Sequence, residues 1–517
     1  MLDQFKKEIL LYLTNNKNRI NNNDIIYSTL TKEIIELLDN SDIYYNAYIF
    51  SSLYEKIYLK DNKEKAAFYT NLDIAYEMVK LSFKNIKKEN NNNLNNLKIL
   101  DPCVWSWIFI FAIMKYLSND LWLKELDIKK YIISNIFTTD IDKETTDFFL
   151  FLMENMFNIN FKNNHKLISF FDIKNKNYDI IIWNPPYWLS LKNEKEIIFK
   201  ELNKENKIDI KESDISNDSY WLFYIHAFNL LNENGNITFI TPNSFLNIKQ
   251  HYWLRKYLID YFDTFILLND NVFKNKITNL KPWVETLICK IVKDNWENNT
   301  FQIINNKDKI YSNNEHYIID YNIYKEFKKS DIKQIYHIPV SYYIDDEIID
   351  IMTNKKYKKI SDYFDSAMWI KTADNKLYTS DKKDDNYIDI FIKWTSKDPQ
   401  EYEYIYHDYI NFSKLVENKP LNSNIPNRKF LNKNLYKIWI PEIWHKWIIC
   451  AFKYKEELVS NSIWIYILKD RYYNIKLLDR CINLFNSELY KKISKIYSNN
   501  IRLEKHTIDN LPLILDI

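Results

Sequence analysis

Glycine is almost absent from this sequence, and no other feature limits its fold as strongly. The chain has 517 residues and one glycine, Gly235, whereas an average globular chain of this length would contain roughly 36 glycines. Tight turns and close backbone approaches require glycine, because it adopts positive φ angles without steric cost. Tryptophan, normally a rare residue, occurs 15 times. A large α/β fold can hardly be built from such a composition.

Several of the tryptophans stand where glycine would be wanted. They follow predicted strands or lie in short loops: Trp105, Trp107, Trp183, Trp188, Trp283, Trp444 and Trp447. We hypothesise that many or all of the 15 tryptophans are glycines in the living cell, written as tryptophan because a reassigned codon was translated with the wrong table. A genuine tryptophan-rich protein is the alternative. A single codon shared by all 15 positions in the gene would favour the hypothesis.

Residues 179–183 form an apolar run rich in β-branched side chains, which predicts a buried parallel strand. Pro185 and Pro186 end it, so Asn184 and Tyr187 stand at the carboxyl end of a central strand, where open α/β sheets bind ligands. The Asn184 side-chain oxygen and the Pro185 carbonyl can accept both N–H bonds of an exocyclic NH2 group. Tyr187 offers a flat face for stacking a base. A strand-ending turn with a core tyrosine is the structural alternative.

A second predicted strand, residues 97–100, is followed by Asp101, Pro102 and Cys103 and then by Trp105, Trp107 and a helix. With glycine at positions 105 and 107, this strand, Gly-rich turn and helix N-terminus form a cofactor cradle. With tryptophan as written, two indoles would fill the cradle.

Upstream, the tripeptide Phe68-Tyr69-Thr70 precedes an amphipathic helix that starts near residue 73. A hydrophobic staple with a threonine cap would explain this tripeptide without any ligand.

Acidic residues end the next two predicted strands. The strand 132–139 is followed by Asp140 and Asp142, and the strand 166–171 by Asp172. An acid at the tip of the second strand binds ribose hydroxyls in dinucleotide-binding folds, so Asp140 is a candidate for that role. Asp172 is a candidate for the amino group of a cofactor adenine. Asp142 precedes the predicted helix 143–157, and a helix cap is its structural alternative.

The remaining pattern alternates strands with helices, which argues for a doubly wound sheet. Helix 220–231 leads to predicted strands at 237–241, 264–268 and 285–292. Residues 1–60 are polar and helix-patterned, and an N-terminal helical cap is expected. The last 97 residues, 421–517, carry 16 Lys/Arg against 9 Asp/Glu, a net charge of +7 that is compatible with phosphate binding.

Four cysteines, Cys103, Cys289, Cys450 and Cys481, show no disulfide or metal-ligand spacing. A reducing compartment is the default, and no metal site is predicted. The N-terminus lacks a signal-peptide pattern, and the most apolar stretch, residues 104–114, is too short to span a bilayer. The sequence therefore predicts a cytoplasmic protein with no membrane association.

Taken in order, these motifs resemble those of N6-adenine DNA methyltransferases, most closely the TaqI-like group. The resemblance rests on the following segments: Phe68-Tyr69-Thr70, Asp101-Pro102-x-x-Trp105-x-Trp107-x-Phe109, Asp140, Asp172, Asn184-Pro185-Pro186-Tyr187 and Thr241-Pro242-Asn243-Ser244-Phe245-Leu246. It implies an α/β fold, a doubly wound S-adenosylmethionine-dependent methyltransferase sheet with a C-terminal α+β, β-rich DNA-recognition domain. The chain departs from the family pattern at Trp105 and Trp107, where the family has glycine.

The resemblance also implies a site-specific DNA methyltransferase that transfers a methyl group from S-adenosylmethionine to N6 of an adenine flipped out of duplex DNA. The catalytic residues would be Asn184, Pro185, Pro186 and Tyr187, and the base would stack between Tyr187 and Phe273. The cofactor-binding residues would be Phe68, Tyr69, Thr70, Asp101, Pro102, Cys103, Trp105, Trp107, Asp140, Asp172 and Asn184. Double-stranded DNA is the expected partner, together with a cognate restriction endonuclease if the enzyme serves a restriction-modification system.

The expected domains are an N-terminal helical segment at 1–60, a catalytic domain at 61–295, a connector at 296–354 and a target-recognition domain at 355–517. Three alternatives remain open. The protein is a bifunctional restriction-methylation enzyme, or it methylates a protein glutamine, or it is an inactive DNA-binding relative if Trp105 and Trp107 are real.

Overall fold

The computed structural model of the chain describes most but not all of its residues. They are residues 2–17, 29–58, 70–84, 94–103, 107–175, 177–187, 191–204, 218–269, 285–293, 298–307, 319–367, 370–387, 389–394, 405–419, 423, 425, 427, 429–432, 434–441, 452–454, 458–459, 463–497 and 505–515. Two compact units are present. The first comprises residues 1–245 and 253–329, and the second comprises residues 246–252 and 330–517.

The first unit is built around one large sheet. Its helices are α1 Leu2–Lys17, α2 Lys32–Asp39, α3 Ile43–Tyr58, α4 Leu72–Phe83, α5 Ile108–Asn119, α6 Glu125–Asn135, α7 Lys143–Phe157, α8 Lys192–Lys204, α9 Tyr220–Leu230 and α10 Tyr252–Leu258. Its strands are β1 Ile99–Asp101, β2 Ile136–Asp140, β3 His165–Leu167, β4 Tyr178–Trp183, β5 Leu231–Pro242, β6 Phe262–Leu267, β7 Thr286–Val292, β8 Thr300–Asn305 and β9 Tyr324–Lys328.

The nine strands lie in the order β3-β2-β1-β4-β5-β7-β6-β8-β9. The first five are mutually parallel, β7 runs antiparallel to both β5 and β6, and β8 is again parallel to β6. The chain moves outward from β1 to β2 and β3, then crosses to β4 on the other side of β1. This reversal creates a topological switch point between β1 and β4, and ligands bind at such points in open α/β sheets.

Helices cover both faces of the sheet at its centre. Side chains alternate between the two faces along each strand, so the apolar residues of one strand pack against helices on both sides. Ile180, Ile182 and Ile240 join the core cluster that contains the buried side chains of α3, α4 and α5. On the other face, Trp183 packs edge-on against Phe223 of α9, with ring centroids 4.6 Å apart. The predicted doubly wound α/β fold is confirmed.

The N-terminal helices pack onto this sheet domain through aromatic side chains. Phe148 of α7 stacks on Tyr54 of α3 at 4.4 Å and on Phe5 of α1 at 5.7 Å between ring centroids. Phe5, Tyr54 and Phe148 are all buried. The residues described between 2 and 58 are mainly helical, as the sequence pattern predicts, and they belong to the first unit.

Two predicted strands are shorter than the sequence indicates. Residues 132–135 complete helix α6, so β2 starts only at Ile136. The third strand ends at Leu167, and Phe170–Asp172 forms a single 3-10 turn. In both cases the predicted run is divided between two elements, because tertiary packing overrides local propensity.

The second unit combines short helices with two sheets. Its helices are α11 Lys329–Gln334, α12 Asp346–Thr353, α13 Ile360–Tyr363, α14 Asn375–Tyr378, α15 Phe412–Asn418, α16 Ile475–Phe485, α17 Glu488–Tyr497 and α18 Lys505–Asn510, and its strands are β10 Phe364–Ala367, β11 Thr379–Ser380, β12 Asp389–Trp394, β13 Ile405–Ile410, β14 Lys437–Pro441, β15 Phe452–Tyr454, β16 Leu458–Val459 and β17 Ile463–Leu468. The two four-stranded sheets have the orders β10-β17-β14-β15 and β11-β13-β12-β16. This part is α+β with a high strand content, in agreement with the predicted fold class.

The division between the units differs in place from the expected domain boundaries. Strands β8 and β9 extend the large sheet, so the first unit continues to residue 329 instead of ending at 295. Residues 296–354 therefore do not form a separate connector within the described part of the chain. Among the described helices, none combines the length and the hydropathy that crossing a membrane requires.

Candidate active site

The side chain of Asn184 is held from two sides directly after β4. Its Nδ2 donates to the Thr70 hydroxyl at 3.1 Å, and its Oδ1 accepts from the Tyr187 hydroxyl at 2.8 Å. Thr70 is buried and immediately precedes Asn71, the residue that caps α4 by accepting from the Asp73 amide. The predicted cofactor loop and the predicted catalytic motif thus meet at the Thr70–Asn184 hydrogen bond, which sequence reasoning did not foresee.

The two prolines after Asn184 differ in their hydrogen bonding. The Pro186 carbonyl accepts from the Ser219 hydroxyl at 2.7 Å, and the Ser219 amide donates to the Tyr187 carbonyl at 3.0 Å. The Pro185 carbonyl, by contrast, accepts no hydrogen bond from the described residues. Ser219, directly before α9, therefore holds the backbone of the motif through the Pro186 and Tyr187 carbonyls. Ser219 was not identified from the sequence, since a serine before a helix reads as an ordinary cap.

Tyr187 is buried in this conformation. Its side chain is 2% exposed, and burial raises the pKa of its hydroxyl well above the usual range. The hydroxyl is therefore neutral at physiological pH, and its single O–H is the donor to Asn184 Oδ1. A base could stack on the Tyr187 ring only after a neighbouring group moved away from one of its faces.

Two carboxylates lie at the carboxyl ends of the neighbouring strands β1 and β2. Asp101 is buried, and the desolvation raises the pKa of its carboxyl well above the usual range, with the nearby Asp140 carboxylate adding to the effect. Cys103 lies between them, with its Sγ 3.9 Å from Asp140 Oδ2 and its amide 3.5 Å from Asp101 Oδ1. The Thr139 hydroxyl donates to the Pro102 carbonyl at 2.7 Å and ties the two strand ends together.

The residues after β2 have distinct surroundings. Asp140 Oδ1 accepts from the Asp142 amide at 2.8 Å, and Asp142 Oδ1 accepts from the Thr145 amide at 3.0 Å as the cap of α7. The helix-cap interpretation of Asp142 is therefore confirmed. Ile141, between the two acids, is 75% exposed, and an exposed apolar side chain beside a carboxylate suits contact with a heterocyclic ring. No sequence pattern pointed to Ile141.

Asp172 lies in the 3-10 turn after β3 and is exposed. Its turn is held by the Ser169 carbonyl, which accepts from the Asp172 amide at 3.0 Å, and by His226, whose Nε2 lies 3.1 Å from the Phe170 carbonyl. Its carboxylate is thus open to solvent on the same side of the sheet as the carboxyl ends of the parallel strands.

The segment after β5 adds polar groups at the same edge of the sheet. Asn243 Nδ2 donates to Glu285 Oε2 at 2.6 Å, and Lys307 Nζ lies 2.6 Å from the same oxygen. The hydroxyl groups of Ser244 and Tyr220 are 3.1 Å apart. Side-chain hydrogen bonds therefore hold this segment of the predicted motif to Glu285, which precedes β7, and to Tyr220 of α9.

Four predicted site residues lie outside the described residues: Phe68, Tyr69, Trp105 and Phe273. Trp107 is described, and it is the buried residue that precedes α5. In the described part of the chain, no group of three or more His, Cys, Asp or Glu side chains is arranged to hold a metal ion.

Residues 55–273 match the model of the Eco57I restriction-modification methylase family. This segment holds Thr70, Asp101, Asp140 and Asn184, and it is less than half of the chain. Over 155 residues the chain is 28% identical to the type II restriction enzyme and methyltransferase RM.Eco57I of Escherichia coli, covering 29% of this chain and 15% of that protein. Over 210 residues it is 27% identical to the type II methyltransferase M.HincII of Haemophilus influenzae, covering 40% of this chain and 33% of that protein. The matches span a third or less of these relatives' length.

Solved structures share the fold over most of the chain. The chain of the DrdV–DNA complex superimposes with a TM-score of 0.55 and 13% identity, covering 84% of this chain and 53% of that one. A nuclease-deletion mutant of the type ISP restriction-modification enzyme LlaGI, solved with a DNA substrate mimic, gives a TM-score of 0.59 and 14% identity, covering 92% of this chain and 48% of that one. At these identities the likeness demonstrates a common fold.

Proposed function

From the similarity of residues 55–273 to restriction-modification methylases, we propose that this protein methylates N6 of adenine in duplex DNA at a specific site, using S-adenosylmethionine. One observation carries the proposal. Asn184 presents a carboxamide oxygen, fixed by Thr70 and Tyr187, at the carboxyl end of β4. Beside it lies the Pro185 carbonyl, which accepts no hydrogen bond from the part of the chain that the structure describes. Two acceptors at this point suit the two N–H bonds of an exocyclic amine.

The residues at the carboxyl ends of β1, β2 and β3 fit the cofactor in four respects. Asp140 is an acceptor for ribose hydroxyls at the end of β2, with Oδ1 taken by the Asp142 amide. The exposed Ile141 supplies an apolar surface for one face of an adenine ring, and Asp172 supplies an exposed carboxylate for its amino group. Asp101 and Cys103 supply a buried carboxyl and a thiol beside Asp140 at the ends of β1 and β2. When bound, S-adenosylmethionine supplies an electrophilic methyl group, and no covalent enzyme intermediate is needed.

The contribution of the chain to the reaction is alignment and polarisation. Asn184 Oδ1 and the Pro185 carbonyl accept the two N6–H bonds, which holds the nitrogen lone pair toward the methyl group and raises electron density on nitrogen. A carboxamide oxygen has two lone pairs, so Asn184 can keep the Tyr187 bond while it accepts from the amine. Thr70 holds the amide in the orientation that presents oxygen, not nitrogen, to the base.

The target adenine must leave the duplex, since its amino group is otherwise inaccessible. Tyr187 is the proposed stacking partner on one face, and its burial implies that base entry is coupled to a rearrangement around the ring. Phe273 is the proposed partner on the other face. The assignment to the TaqI-like group, with Asn184-Pro185-Pro186-Tyr187 as its catalytic motif, is part of this proposal.

The second unit is the proposed DNA-recognition domain. Residues 421–517 carry the net charge of +7, which favours contacts with phosphate groups. Duplex DNA is the proposed partner. If the enzyme serves a restriction-modification system, a cognate restriction endonuclease is the second proposed partner.

The decisive assay uses the full chain, labelled S-adenosylmethionine and unmethylated genomic DNA. After digestion to nucleosides, label in N6-methyladenine is expected. Label in another base or on protein would contradict the proposal, and label on protein glutamine would favour the glutamine alternative. DNA cleavage by the same preparation with Mg2+ would favour a bifunctional restriction-methylation enzyme.

The test variant is Asn184→Ala, which should abolish methyl transfer while cofactor binding survives. Asn155→Ala is the control, because the Asn155 side chain donates to the Phe151 carbonyl within α7. Loss of cofactor binding in Asn184→Ala would count against the role assigned to this residue.

A further inference from the structure

The backbone at residue 107 has a conformation that suits glycine. Trp107 precedes α5 with φ 54° and ψ 2°, in the left-handed region, and its side chain makes no capping hydrogen bond. A Cβ atom is disfavoured there because it approaches the following carbonyl oxygen, and among ordinary residues only short polar ones such as asparagine visit this region often. Asn158 and Asn234 are such cases in this chain, at φ 53° and 61°.

The indole of Trp107 is also poorly accommodated. The residue is 2% exposed, and its Nε1–H finds no acceptor in the described part of the chain. Its ring lies on the Phe149 ring at 3.2 Å between centroids with an interplanar angle of 5°. Carbon atoms in contact prefer separations of about 3.5–4.0 Å, so the two rings are compressed. Backbone, hydrogen bonding and packing therefore disfavour tryptophan independently of one another.

Trp122, just beyond the other end of the same helix, also has a left-handed backbone conformation. It has φ 56° and lies in the chain reversal after α5, between the hydrogen bonds Leu121 N–H to Tyr116 O and Leu123 N–H to Leu117 O. Trp122 is the second residue after the C-cap Asp120, and glycine is the usual residue where a tight turn requires a left-handed conformation. The Trp122 side chain is 84% exposed, so no packing compensates for the unfavourable φ.

We infer that residues 107 and 122 are glycine in the protein made by its own cell, because the codon written as tryptophan is read there as glycine. The chain has 15 tryptophans and one glycine, yet two of the eight non-glycine residues with positive φ that the structure describes are tryptophan. The inference does not depend on the proposed function. Trp183, by contrast, packs among Phe170, Phe223 and Phe239 in a regular strand, so its geometry does not by itself require glycine.

Mass spectrometry of the protein purified from its own cells tests the inference directly. Trypsin cleaves after Lys98, Lys115 and Lys124, which places residue 107 in peptide 99–115 and residue 122 in peptide 116–124. Fragment ions are expected to show glycine at both positions. Tryptophan at either position would overturn the inference, and peptide 116–124 gives the simpler reading because it contains one tryptophan as written.

Stability measurements on the recombinant full-length chain provide a second test. At position 122, Trp122→Gly should be more stable than Trp122→Ala, with an unfolding equilibrium constant about fivefold lower, because only the Cβ differs. At position 107, Trp107→Gly should likewise be more stable than Trp107→Ala. Both variants remove the indole and leave the same space, so only the Cβ atom differs between them. Alanine variants as stable as the glycine variants at both positions would contradict the backbone argument.

Discussion

The Tyr187 hydroxyl donates a 2.8 Å hydrogen bond to Asn184 Oδ1, the atom proposed to accept a hydrogen bond from the target amine. The Asn184 amide is held at its other end by Thr70. The carboxamide is therefore oriented before any substrate binds, which removes a reorganisation step from the reaction. This arrangement makes the neighbours of Asn184, as well as Asn184 itself, testable parts of the site.

Tyr187→Phe should slow methyl transfer without preventing it. The change removes the hydroxyl and keeps the ring, so it costs about one net hydrogen bond, or roughly 1 kcal/mol, and the transfer rate should fall about fivefold. Tyr187→Ala should be slower still, because a base–aromatic stack contributes about 1–3 kcal/mol. Single-turnover transfer of labelled methyl groups to DNA measures both effects. Equal rates for the tyrosine and phenylalanine proteins would show that the hydroxyl does not orient Asn184.

Thr70→Val should reduce transfer by removing the partner of Asn184 Nδ2. Thr70 is buried, so the variant leaves a donor without its acceptor at a cost of about 1–3 kcal/mol. A decrease of about tenfold in the transfer rate is expected. Thr70→Ser keeps the hydroxyl and is the control, and it should retain most of the activity. If valine and serine behave alike, the Thr70 hydroxyl has no positioning role.

Asp140→Ala and Asp142→Ala should separate cofactor binding from stability. Asp142 caps α7 through the Thr145 amide, and loss of such a cap lowers the free energy of unfolding by about 0.5–2 kcal/mol. Asp140→Ala should instead weaken S-adenosylmethionine binding, because it removes the proposed ribose acceptor. Urea denaturation and calorimetric titration give the two quantities. A normal cofactor affinity in Asp140→Ala would exclude the ribose role.

His165 should make the first unit sensitive to acid. Burial lowers the pKa of its imidazole from about 6.5 to about 4. The Thr146 hydroxyl donates to the Asp142 carbonyl at 2.9 Å, so at 3.1 Å it accepts from His165 Nε2–H, and Nδ1 accepts from the Thr138 hydroxyl at 2.9 Å. The fold thus prefers the neutral ring. The stability that this preference contributes is complete above pH 6.5 and is lost as the pH falls toward 4.

His165→Gln removes this titrating group. Between pH 6.5 and 4 its free energy of unfolding should decline less steeply than that of the parent chain, by at most about 1.4 kcal/mol per pH unit. His226, whose pKa burial also lowers to about 4, stays in the variant and keeps part of the slope. Urea unfolding at several pH values measures the difference. Parallel curves for variant and parent would contradict the assignment.

Much of the sheet domain could be predicted from local pattern. Residues 180–183 are all apolar because this part of β4 is buried, and two prolines follow Asn184, so strand and site could be recognised together. The helix Lys143–Phe157 begins and ends where the pattern indicates, since Asp142 provides a local cap. Residues 132–135 could not be assigned correctly, because the apolar residues of a buried helix end and of a buried strand look alike in sequence.

The sequence by itself determined the strand–helix alternation, the chemical identity of the motif at Asn184 and the anomaly of 15 tryptophans beside one glycine. Only the tertiary structure decided which of these residues meet. Thr70 binds Asn184 across 114 positions of chain, and Trp107 lies against Phe149 of another helix. Such contacts depend on the strand order and on backbone angles, which sequence pattern does not encode locally. The left-handed φ angles at residues 107 and 122 are also set by the tertiary structure. They show that tryptophan is unusual at these two positions for its conformation as well as for its frequency.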